Sequence, residues 1–181
     1  MAALNSVIVI DVGTSSLRST VISIDGTMRY SSSRAYSPLF LEGDAVEQDA
    51  LTWRTALFET LTEAAGYARS AECAVLALSV ASQRASVIPV GRDGQPLGRA
   101  IMWQDKRSVG ESVALASSFT VEGIYRRTGL RTDPYFSAPK MLWLRMNRAE
   151  KSIPVTRSNS LASSNVVRPT AQPRSKALRR G

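Results

Sequence analysis

The chain has 181 residues, 44% of them hydrophobic, and a formal net charge of +8. That length supports one domain with a core. No apolar run approaches the roughly 20 residues of a membrane span, no secretory leader is expected, and the absence of histidine removes the commonest general base and zinc ligand.

Of the 23 basic residues, seven lie in 151–181, where no acidic residue occurs; the remaining 16 face 15 acidic ones, a net of +1 over the first 150. The basic character therefore belongs to the tail and says little about the folded part. The lone cysteine, Cys73, leaves no internal disulfide framework, fits a reducing cytoplasmic compartment and reads as a small buried hydrophobe.

In chain order, the β-branched runs 7–10 and 20–24 read as strands flanking a short polar turn. A third strand is expected over 28–36, after the hairpin pair Asp25-Gly26. The stretch 37–49 reads as a loop. A helix follows, started by Gln48 or Asp49, with Leu51, Ala56, Leu57, Leu61, Ala64 and Ala65 on its apolar face and Gly66 near its end. The short apolar run 75–80 suits a central strand. The segments 85–90 and 98–103 bracket a second hairpin with Asp93-Gly94 at its turn. Helices are expected at 108–118, at 121–127 (stopped by Gly129) and at 138–147, with Pro139 at a tolerated early position.

Three strands, a helix, a strand, a hairpin and further helices make an α/β domain. Residues 151–181 change character: rich in Ser, Pro and Arg, without aromatic or acidic residues. They read as a disordered or frame-shifted tail. With the charges scattered and no aromatic interleaved, no nucleic-acid partner is expected. The division is thus 1–150 for the domain and 151–181 for the tail.

The turn after the first strand carries the chemistry. Asp11, Gly13, Thr14, Ser15 and Ser16 occupy it, and Arg18 lies just beyond. One reading is a tight turn in which Gly13 supplies a positive φ. The other is an anion site. Glycine admits a ligand close to the backbone, successive N–H groups form an anion-binding concavity, and the hydroxyls add donors. A strand-end carboxylate, Asp11, can hold hydrated Mg²⁺, and Arg18 complements phosphate. Neither the G-x-x-x-x-G-K-[ST] nor the G-x-G-x-x-G pattern is present.

The loop resembles the D-x-G-T-[ST] phosphate loop of the actin, hexokinase and heat-shock-chaperone superfamily. Four segments in this order extend the likeness: IDVGTSSLRSTVISIDG, VEQDALTW, SVASQRASVIPVGRDGQPLGRAIMWQDKR and TGLRTDPYFSAPKMLWL. Together they resemble the N-terminal domain of the FGGY family of carbohydrate kinases, in its glycerol kinase branch, over about residues 7–147.

The resemblance implies a ribonuclease H-like fold with an inserted β-hairpin, incomplete at its C-terminal end. It implies transfer of the ATP γ-phosphoryl group to a hydroxyl of a sugar or polyol, with ATP and Mg²⁺ required. Asp11, Gly13, Thr14 and Ser15 then hold the phosphates and Mg²⁺, with Asp11 reaching the metal through water, and Arg18 reaches the transferring phosphate. Arg84, Trp103 and Tyr135 line the polyol site, joined by Gln83, Gln104 and Asp105. Trp103 also reads as core packing, Tyr135 as a turn residue, and Asp105 as a surface partner of Lys106 or Arg107.

Family members are often homo-oligomers without a membrane part. Glycerol kinases carry Glu directly after the arginine matched by Arg84; here it is Ala85, which leaves the acceptor open. The family's catalytic Asp and its second domain match nothing in this chain, so the isolated chain is expected to be inactive; the alternative reading is a non-catalytic phosphate- or nucleotide-binding module with a basic interaction tail.

Overall fold

A computed structural model describes residues 4–147; the tail expected at 151–181 lies outside the described residues. The first strands follow the period-two rule. On β1 (Leu4–Val12), Ser6, Ile8 and Ile10 are buried and alternate with half-buried or exposed neighbours. β2 (Ser16–Ser23) pairs antiparallel with β1, placing Val21 opposite Ile8 and Leu17 opposite Val12 on that inner face. β3 (Met28–Ala35) continues the sheet beyond β2. β6 (Cys73–Ser82) pairs parallel on the other side of β1, giving the order β3-β2-β1-β6. The expected antiparallel pairing of the first three strands is found, whereas the run read as a central strand lies at the edge of the described sheet, parallel to β1.

The helix α1 (Ala50–Ser70) covers the inner face. Asp49 caps it, its carboxylate accepting the Leu51 N–H at 2.9 Å. Its buried face is Ala56, Thr60, Ala64 and Ala68, a row at i, i+4 spacing with no large side chain. Small residues let the helix lie close to the sheet, so Ile8, Ile10, Leu17 and Val21 fill the layer between them, flanked by Leu57, Leu61, Leu78 and Val80. Two expectations shift here. Leu51 is exposed, and the helix runs past Gly66 to Ser70. A polar contact crosses the core: Ser19 and Thr60 share a hydroxyl hydrogen bond of 2.8 Å, and Thr60 also donates to the Ala56 carbonyl.

A second, smaller sheet was not expected. β4 (Leu39–Phe40), β5 (Val46–Gln48) and β7 (Ala100–Ile101) run antiparallel in the order β4-β5-β7. The first two lie in the stretch read as loop; strands of two or three residues carry no readable alternation. The predicted hairpin between β6 and β7 is present but loose. It is closed by the reciprocal Val87–Ile101 pair and by a Val90–Pro96 bridge, with Gly94 at φ +79° in its turn.

Three helices follow: α2 (Val109–Phe119), α3 (Val121–Thr128), ended by left-handed Gly129, and α4 (Ser137–Asn147). Leu144, Val87 and Ile101 form their core contact, with Met141 and Trp143 packed on it. Cys73 is corrected: it is half-buried at the start of β6, at the edge of the core rather than within it. Among the described residues no helix is long and apolar enough to cross a membrane.

Candidate functional site

The β1–β2 turn is held from several sides. Gly13 donates its N–H to the Ser16 carbonyl at 2.9 Å, and a Cβ on Gly13 would sit 3.0 Å from that oxygen. Glycine suits this close approach, since any side chain would press on the Ser16 carbonyl. The positive φ expected as one reading does not occur at Gly13, since the positive-φ glycines are Gly26, Gly43, Gly94 and Gly129. Tyr36, at the end of β3, donates its hydroxyl to the Gly13 carbonyl at 2.8 Å and its N–H to the Ser15 carbonyl at 2.9 Å. Burial pushes the Tyr36 phenol up to about 12, an effect to which nearby Asp11 adds, so it remains a neutral donor.

Asp11 and Arg18 are exposed and directly opposite each other in the β1–β2 register, on the sheet face away from α1. No backbone carbonyl among the described residues accepts the Thr14 or Ser15 N–H. These amides, the adjacent hydroxyls and a cationic side chain form a surface suited to phosphate. Among the described residues no group of three or more His, Cys, Asp or Glu is arranged to hold a metal. Asp11 alone fits Mg²⁺, which keeps most of its waters and binds through one or two carboxylates and substrate phosphates.

The turn is wired to the second candidate cluster. Trp103 donates its indole N–H to Thr14 Oγ1 at 3.0 Å, and Thr14 donates its hydroxyl to Gln83 Oε1 at 3.1 Å. Gln83 is fixed at the end of β6 by its N–H to the Val12 carbonyl. Its Nε2 is buried and has no partner among the described residues. The Trp103 ring meets Tyr135 edge-on at 5.8 Å, and Tyr135 meets Phe136 edge-on at 5.0 Å. Thr14, Gln83, Trp103 and Tyr135 thus form one contiguous line from the β1–β2 turn to an aromatic corner. The reading of Trp103 as plain core packing misses its polar end.

Arg84 is exposed beside this line. Ala85 behind it is buried with φ +66°, a conformation that costs an L-residue about 1–2 kcal/mol. That turn sends Ser86 inward, where its hydroxyl accepts the Trp103 N–H at 3.2 Å. Tyr36 and Ser86 escape sequence reading because each acts through a contact distant in the chain.

Asp105 differs from expectation. It is fully buried rather than at the surface. Its carboxylate accepts the Val46 N–H at 2.7 Å, the Arg107 N–H at 2.9 Å and the Arg107 guanidinium. Arg107 extends the network to Glu47 at 2.9 Å and lies 4.9 Å from the Trp143 ring centroid. Asp105 is saturated by protein donors and acts two residues from Trp103 as an anchor of the frame. Gln104 is half-buried between them.

Known proteins resemble this chain in sequence and fold. The profile of the FGGY family of carbohydrate kinases, N-terminal domain, matches residues 6–157. A glycerol kinase of Thermus brockianus is 39% identical over 138 residues, covering 75% of this chain and 28% of that protein. The crystal structure of Plasmodium falciparum glycerol kinase with ADP superposes with a TM-score of 0.76 at 25% identity, over 82% of this chain and 30% of that one. A gluconate kinase structure from Lactobacillus acidophilus gives a TM-score of 0.72 at 26% identity, over 82% and 30%. The chain spans 28% of the length of the curated glycerol kinase it matches. Matched across most of its length by that profile and sharing the fold of solved sugar kinases, the chain belongs to the FGGY family of carbohydrate kinases.

Proposed function

We propose that this chain forms the phosphate-binding and acceptor-binding part of an ATP-dependent kinase that phosphorylates a hydroxyl of a sugar or polyol. The observation that carries the reading is the Trp103–Thr14–Gln83 hydrogen-bond line, which joins the phosphate loop to an aromatic corner. The Thr14 and Ser15 amides and hydroxyls hold the nucleotide phosphates. Arg18 faces the transferring group, and Asp11 holds the water shell of Mg²⁺. A metal held there would supply charge to neutralise the phosphates.

On the acceptor side, the Trp103 face packs on the C–H side of the acceptor. Arg84, Tyr135 and the spare Gln83 N–H bond its hydroxyls. Ala85 has no side-chain acceptor for such a hydroxyl. The γ-phosphoryl group leaves the ADP oxygen for the acceptor oxygen, whose proton departs to a base. We assign that base to no residue of this chain, so phosphotransfer by the isolated chain is negligible.

The test is a titration of the 181-residue chain followed at the Trp103 indole N–H. MgATP is expected to shift that resonance in the native chain and to lose this effect in Asp11→Asn and Thr14→Val. A silent Trp103 with both nucleotide and acceptor would refute the reading. Turnover at about 1–100 per second would refute the inactivity of the isolated chain.

A further inference from the structure

Lys140 sits in the first turn of α4 and is fully buried. Two forces oppose a cation there. Desolvation disfavours an ammonium, and the positive end of the helix dipole repels it. Burial indeed pulls its pKa down to about 8, against the opposing pull of Asp105 and Asp133. A lysine retained in such a place must be offset by specific partners, and the structure supplies them. Its Nζ donates to the Pro134 and Tyr135 carbonyls, both at 2.6 Å. The same ammonium lies 6.0 Å from the centre of the Tyr135 ring.

We propose that Lys140 is a positioning residue that holds the 133–136 turn and so sets the Tyr135 ring against Trp103. The turn is clamped at both ends of Tyr135. Its N–H donates to Asp133 Oδ1 at 2.7 Å, and its carbonyl is held by Lys140. Phe136 closes the turn by donating its N–H to the Asp133 carbonyl at 3.1 Å. With the backbone fixed on either side, the ring is left to rest between Trp103 and Phe136. A lysine serves better than a hydrophobe because two carbonyls converge on one point. An apolar replacement leaves both carbonyls without that donor. An arginine cannot replace it, since its planar fork needs room that a fully buried site does not have. The Glu47, Asp105 and Arg107 network reaches Lys140 through the charge of Asp105 and shares none of its hydrogen bonds; Arg107 lies over Trp143 further along α4, so helix docking has an anchor of its own.

The inference rests on the acceptor-site reading above, and its test keeps the two apart. The Lys140→Met variant of the full chain removes the ammonium and keeps the side-chain length. By nuclear magnetic resonance, the Trp103–Tyr135 ring contact is expected to disappear and the Trp103 indole signal to move. The Trp143 indole, on the same helix, is expected to stay. Retention of the Trp103–Tyr135 contact overturns the proposal, and so does equal disturbance of Trp143, which would mean a general packing role.

If Lys140→Met does not fold, the native chain decides. Ammonium protons of Lys140 in slow exchange with water, with cross-peaks to Pro134 and Tyr135, support the clamp; an ammonium in fast exchange overturns it. Glycerol and D-gluconate are the acceptor probes. A shift of the native Trp103 indole by either, weakened several-fold in Lys140→Met, extends the clamp to ligand binding. If neither probe moves native Trp103, the acceptor-site reading fails, while the clamp is still judged on the ring contact.

Discussion

The two halves of the molecule are held by opposite means. The β3-β2-β1-β6 sheet and α1 enclose a layer of Ile8, Ile10, Leu17 and Val21 against a helix face of alanine and threonine. Among the described residues the smaller β4-β5-β7 sheet with α2–α4 has a three-residue buried apolar cluster, Val87, Ile101 and Leu144, and also buries Val46, Ala100 and Met102. It also holds a cluster of charged groups: buried Asp105, Glu47 and Lys140 with half-buried Arg107. An apolar layer tolerates loss by partial collapse, whereas a charge network loses its balance when one member goes. The β1–β2 turn proposed to bind phosphate belongs to the first half and the aromatic corner to the second. The hydrogen bonds through Thr14 join them.

The sharpest way to break that contrast is Asp105→Ala. It removes the acceptor of the Val46 N–H and the buried partner of the half-buried Arg107 guanidinium. The expected loss is about 3–5 kcal/mol, read as a lower denaturant midpoint. Trp143 fluorescence should change with it, because Arg107 lies over that ring. A midpoint unchanged from the native chain would mean that the second half is held by its apolar contacts after all. In the first half the matching probe is Leu17→Ala. Leu17 is 1% exposed at the centre of the layer. The expected loss is about 2–5 kcal/mol, depending on how far the site collapses. Native-state hydrogen exchange should show it in β1 and β2. If β5 and β7 open equally, the halves are one cooperative unit.

The same contrast explains what could be read from the sequence. The first half was legible because its signals are local. Strand alternation, the Asp25-Gly26 turn, the Asp49 cap and the glycine-bearing loop each lie within a few residues. Even there Leu51 misled, because tertiary packing chose the small i, i+4 row as the buried face. The second half was legible only as helices and a hairpin. Its strands are two or three residues long, and its anchors join residues far apart: Val46 with Asp105, Glu47 with Arg107. Asp105 and Lys140 look like surface charges in sequence, since charged residues are almost never fully buried unless paired. The candidate site residues were legible through the family resemblance. Their hydrogen-bond line through Thr14 was not, because it depends on side-chain direction.

A pH scan sharpens the picture. The folded-state pKa of Lys140 is lowered to about 8 by burial, against an unfolded value of 10.5. Between these values the unfolded chain binds the proton and the folded chain does not. Stability from this group therefore rises with pH across about 8 to 10.5, by at most about 1.4 kcal/mol per pH unit. The rise should be present in the native chain relative to Lys140→Met. Parallel pH profiles of the two proteins would show that the ammonium is not desolvated as its burial requires.

The smallest expected effect is at the point where the phosphate loop leans on the first half. Tyr36→Phe keeps the ring in the core and removes one donor to the Gly13 carbonyl. The expected cost is about 1 kcal/mol, too little to unfold the half. Its consequence should be local: faster amide exchange at Thr14 and Ser15 and a weaker response of Trp103 to MgATP. The native phenol also carries a pH signature. Its pKa is raised to about 12 from 10, so the folded chain keeps a proton that the unfolded chain releases. That contribution is whole below pH 10 and is lost as pH rises through 12; Tyr36→Phe removes it. If the variant leaves loop exchange and the MgATP response untouched, the turn is set by the Gly13–Ser16 bond and the Tyr36 backbone contact alone. The loop would then be a local device, independent of the apolar layer beneath it.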